Sequence, residues 1–82
     1  MGHRVNVLID IDRSHNIMQP CLAKHLQLRI TLTPSFLVMI GDGNHIYCTG
    51  LCPQVSLTMQ SHAFLLPFYQ VSFHGADLAL GI

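Results

Sequence analysis

Leu8-Ile9-Asp10-Ile11-Asp12-Arg13-Ser14-His15-Asn16 is the stretch whose reading decides the fold. An apolar strand, Val5 to Ile9, runs into it and delivers a carboxylate at its end. Alternation sends Val5, Val7 and Ile9 to one side of that strand and Asn6, Leu8 and Asp10 to the other. Asp12 to Ser14 reads as a turn, because short polar side chains bond nearby backbone. A rigid strand that places one acid in a loop is a frequent way of carrying function.

Downstream, the spacing predicts one short helix. Pro20 suits a first helical turn, where its missing N–H costs nothing. Met18, Leu22 and Leu26 form an apolar stripe at intervals of four, with Lys24 off the stripe. Cys21 reads as a buried helix residue. The helix fades near Leu28, before Thr31-Leu32-Thr33-Pro34. Phe36 to Ile40 is a continuous apolar strand, and Gly41-Asp42-Gly43-Asn44 is the strongest turn signal in the chain, the mark of a hairpin. His45 to Leu51 is the return strand, broken by Cys52-Pro53. Val55, Leu57 and Met59 alternate with polar residues as a half-buried strand. A second hairpin turn falls near Gln60-Ser61-His62, and Pro67 marks an edge or a bulge in the strand after it. Tyr69 to Phe73 continues extended, His74 to Asp77 turns, and Leu78 to Ile82 closes as a strand. Six or seven short strands with turns at this spacing indicate an all-β sandwich or barrel with one short helix.

The chain has 82 residues, enough for one domain and not two. Half is hydrophobic and 10% is charged, against about 25% in ordinary soluble domains. A lone domain of this size buries only roughly 60% of its unfolded surface. The excess apolar content therefore points to self-association, and to a place in a longer polypeptide. Net charge is zero, and Arg4, Arg13, Lys24 and Arg29 are scattered, so nucleic acid is not an expected partner. No apolar run approaches the ~20 residues that span a bilayer, so no membrane partner is expected either. No signal-peptide pattern is present, and three cysteines form no framework, which suits a reducing, intracellular setting.

Four motifs in order resemble one family. They are the strand Leu8-Ile9-Asp10 with His15-Asn16 beyond it, and the Ala23-Lys24 helix. The hairpin Val38-Met39-Ile40-Gly41-Asp42-Gly43-Asn44 follows with the Cys48–Val55 segment, and then the closing strand Gly75 to Ile82. Over residues 5–82 they resemble the retropepsin-like aspartic protease domain of plant gypsy-type LTR retrotransposon polyproteins. The resemblance implies a closed acid-protease barrel, here C-terminally truncated, because the family continues into a Trp-Leu pair. It implies a homodimer with one Asp from each copy, an extended peptide as substrate or ligand, and no cofactor. Counting back five from His15 makes Asp10, not Asp12, the matching catalytic Asp. Gly41, Asp42 and Gly43 would form the substrate hairpin.

The family's loop reads Asp-Ser-Gly-Ser/Thr, whereas this chain has Asp10-Ile11-Asp12-Arg13. Ile11 lacks the hydroxyl that interlocks the two loops in the family. Asp12 replaces a glycine and adds carboxylates to a dimeric site, which favours protonation. Arg13 would partly neutralise Asp12. These departures predict an impaired endopeptidase. The alternatives are a non-catalytic dimerising or peptide-binding domain and a transposon remnant without a selected role. Asp77 reads as a turn residue beside Gly75, and no second Asp-Ser/Thr-Gly exists. His45, Cys48 and Cys52 have no fourth partner nearby, and alternation parts His45 from Cys48, so no metal site is expected.

Overall fold

Consecutive strands β1 (Val7–Asp10) and β2 (Ile17–Met18) do not pair with each other. The last strand, β6 (Leu78–Gly81), lies between them, parallel to β1 and antiparallel to β2. The computed structural model that shows this describes residues 4–11, 13–40 and 43–81. The remaining elements are α1 (Pro20–His25), β3 (Thr31–Ile40), β4 (Asn44–Met59) and β5 (His62–Gln70). One six-stranded sheet results, in the order β1-β6-β2-β5-β4-β3. Strands make up 59% of the structure, so the mostly-β expectation with one short helix holds. The sheet does not close into a barrel: β1 and β3 are its two edges.

The topology forces the segment after Asp10 to cross over β6 before it becomes β2. Gly81 sits under that crossing, and a Cβ there would run into the Arg13 carbonyl oxygen and come within 3.1 Å of the His15 carbonyl oxygen. Only glycine lets backbone pass so close. Asn16 fastens the crossing from the other side. Its Oδ1 accepts the Gly81 N–H at 3.0 Å, and its Nδ2 donates to the Pro67 carbonyl at 3.2 Å.

Alternation along the central strands feeds two cores, one on each face of the sheet. Met18, Leu78 and Leu80 join Leu22, Leu57 and Phe68 under α1. Ile17 and Ala79, their immediate neighbours, join Val38, Cys48, Val71 and Phe73 on the other face. The helical stripe is therefore correct for Leu22 and Leu26, while Met18 reaches the same core from a strand. Cys21 corrects the sequence reading: it is exposed, because a six-residue helix turns only one narrow side inward.

The two prolines meet in one irregularity. β4 runs 16 residues without the expected break at Cys52-Pro53. Its pairing with β5 shifts register between Cys52 and Val55, opposite Phe68 and Leu66, so Pro53 and Pro67 both lie in this bulge. A bulge absorbs a residue that cannot donate to the ladder, and β5 keeps its interior place in the sheet. β3 begins at Thr31, earlier than expected, and takes Pro34 into a second shift between Leu32 and Phe36. The β4–β5 hairpin closes where expected, with Met59 opposite His62 and with Gln60 and Ser61 at φ 50° and 67°.

Both turn residues lie in the left-handed region that hairpins of this length demand and side chains resist. Ser61→Gly should therefore raise the unfolding free energy by about 0.5–1 kcal/mol in urea titration. Gly81→Ala should lower it by about 1–3 kcal/mol, since backbone under the crossing has to move.

Candidate functional site around Asp10

β1 ends at Asp10, opposite Gly81 on β6, so the acid stands at the start of the crossing segment. Its side chain is 34% exposed. Arg13 folds back over it: one guanidinium nitrogen lies 3.2 Å from Asp10 Oδ2, and the Arg13 side chain is only 12% exposed. Arg13 N–H also points to the Asp10 carbonyl at 3.4 Å, which closes the turn. The other terminal nitrogen, Nη1, donates to the Met39 carbonyl at 2.9 Å. Arg13 Nε is buried without a partner. One side chain thus joins the acid to the edge strand β3.

The sequence pairs Arg13 with Asp12; among the described residues its guanidinium meets Asp10 and the Met39 carbonyl. Asp12 itself lies outside the described residues, as do Gly41 and Asp42 of the expected substrate hairpin. Gly43 is described, exposed and at φ 77°, a conformation only glycine holds without strain. Ile11 is 75% exposed, with Leu8 and Ile9 also exposed beside it. Ile11 thus presents apolar surface next to Asp10 where the resembled motif has a hydroxyl.

His15 is a packing residue. Its ring lies 5.1 Å from Phe36 and 5.2 Å from Tyr69, which are themselves 4.9 Å apart, an aromatic trio beneath the crossing. Tilted and edge-on contacts of this kind add to area burial. Ser14 Oγ and His15 Nδ1 share a hydrogen bond at 3.0 Å. Asp77 is structural: its carboxylate accepts the Asn6 N–H at 2.9 Å. Gln19 holds the same corner by donating to the Phe73 and Ala76 carbonyls. Asn16, Gln19 and Asp77 were invisible as supports in the sequence, because their partners lie 51 to 71 residues away.

Cys48 is buried and donates to the Gly50 carbonyl, whereas His45 is exposed on the same strand. Cys52 accepts from Gln70, and burial pushes its thiol up from the ordinary value. Among the described residues, no group of His, Cys and Asp side chains is placed to hold a metal. A groove of about 940 Å³ opens between α1, β1 and β4, lined by apolar residues such as Val7, Leu22 and Met59. Asp10 does not line it, so this groove and the carboxylate are separate features. No described helix is long and apolar enough to cross a membrane.

Comparison with family models, with curated proteins and with solved structures found no match to this chain.

The thiols give a direct check on this geometry. Cys21 should react with a thiol reagent in the native state, while Cys48 and Cys52 should react only after denaturant unfolding. Because the fold favours the neutral Cys52 thiol, the stability it contributes is present below the usual thiol range. That stability is lost as pH rises through it.

Proposed function

We propose that this chain is a retropepsin-like aspartic endopeptidase domain of the retrotransposon-polyprotein kind, with an impaired catalytic loop. One observation carries the reading: Asp10 ends β1 at the mouth of a loop that crosses β6 over Gly81 and faces β3. In this reading two copies bring their Asp10 side chains together, and the exposed Leu8, Ile9 and Ile11 supply apolar surface for the contact. Two carboxylates that close share one proton. One then activates water as a base while the other protonates the peptide carbonyl. An extended peptide would lie beneath the Gly41–Gly43 hairpin and pair with strand edges. The closed barrel belongs to the proposal, with the free edges of β1 and β3 as the places where further strands would pair.

Ile11 has no hydroxyl to fix the loop across the dimer axis, and Asp12 has bulk where the motif has none. A second reading, a non-catalytic dimerising or peptide-binding domain, is favoured by the ion pair that occupies Asp10.

Peptide cleavage at acid pH decides between them. The native chain should show none. An Ile11→Ser/Asp12→Gly double variant should cleave about 10²-fold or more above background, the usual worth of acid–base catalysis. A pepstatin-type inhibitor should block that activity, and Asp10→Asn should abolish it. A double variant that is dimeric but inert would establish the second reading, and one that is folded and monomeric would overturn the proposal.

A further inference from the structure

The strongest feature outside the family pattern is the position of Arg13. Its guanidinium bridges two groups on different parts of the chain, Asp10 Oδ2 at 3.2 Å and the Met39 carbonyl at 2.9 Å. Asp10 belongs to β1 and Met39 to β3, the two edge strands of the sheet. Among the described residues no ladder hydrogen bonds join these strands, so Arg13 is a polar cross-tie between them, beside the His15–Phe36 ring contact. The side chain is mostly buried although it lies in a loop, and its Nε is buried without a partner. A buried guanidinium with one unsatisfied donor is held there by its two other contacts, since leaving a buried donor unpaired is unfavourable.

We infer that Arg13 is an internal strap that holds the Asp10 site shut. The inference rests on the reading of Asp10 as the site acid. The strap occupies two groups that an incoming extended peptide would use: the carboxylate that must meet its carbonyl, and a carbonyl of the edge strand to which it would add. Peptide binding therefore requires Arg13 to swing away, and the unsatisfied Nε makes the strapped state less firmly held than a fully bonded one. Arg13 is a positioning residue. It acts on access to Asp10 and on the position of β3, and it takes no part in bond making.

The test reads strap and function separately. Carbodiimide-mediated amine labelling, followed by peptide mass mapping, gives the modification rate of Asp10, with Asp77 as an internal reference. Asp77 is half-buried and bonded to Asn6 at the far end of β1. In Arg13→Gln, Asp10 labelling should rise about tenfold, the effect of losing one charge-assisted bond, while Asp77 is unchanged. Amide hydrogen exchange over residues 36–40 should quicken in the same variant. Arg13→Lys keeps the charge with a single donor group and should fall between the two. Equal Asp10 labelling in the native chain and in Arg13→Lys, with Asp77 constant, would overturn the strap even if Arg13→Gln unfolds. In the Ile11→Ser/Asp12→Gly background, adding Arg13→Gln should lower KM for an extended peptide about tenfold with little change in kcat. Faster labelling without any peptide binding would leave the strap standing and defeat the endopeptidase reading instead.

Discussion

Everything around the candidate site depends on one close approach, the passage of residues 13–16 over Gly81. A strand inserted between two chain-consecutive strands obliges their connection to cross it. The crossing is possible at backbone distance because Gly81 has no side chain, and it stays in place because Asn16 bonds both β6 and the Pro67 carbonyl of β5. From that point β1 acquires β6 as its sheet partner, β2 gains a place beside β5, and Asp10 acquires a defined position. The aromatic trio of His15, Phe36 and Tyr69 fills the space beneath.

Scarcity of charge shapes the rest. β3, β4 and β5 contain no Asp, Glu, Lys or Arg, so neither hydrogen-bonded edge nor outer face of this region carries the charges that normally deter strand pairing. Leu37, Met39 and Tyr47 are exposed there. The few charges that flank β1 are used locally, with Asp10 held by Arg13 at its end and Asp77 holding its start. Such a surface suits the proposed association with other backbone and apolar surface.

Much of the architecture was legible because it follows from alternation and turn chemistry. Val55 and Leu57 bury and Met59 half-buries as their spacing requires, Gln60-Ser61 turns, and Pro67 marks a bulge. The continuation of β4 through Pro53 was not legible, because only its partner strand reveals that both prolines share one bulge. Met18 shows the limit of helical spacing: an i, i+4 neighbour of Leu22 reached the same core from an extended segment. At the site, Asp10 could be located from its place after an apolar strand. Its partner could not, since Arg13 has two carboxylates within three residues and sequence spacing does not choose between them. Asn16 was readable only as part of the His15-Asn16 motif, because its work is done through contacts with residues far along the chain.

The most direct measurement is the pattern of nuclear Overhauser contacts between β1 and β6 in isotopically labelled protein. The parallel register places Leu8 beside Ala79, Ile9 beside Leu80 and Asp10 beside Gly81. Expected are backbone contacts at these three pairs, together with contacts from the Asn16 side-chain amide to Gly81. A β1 segment without contacts to Leu78–Gly81, or one paired in another register, would contradict the crossing and with it the position assigned to Asp10.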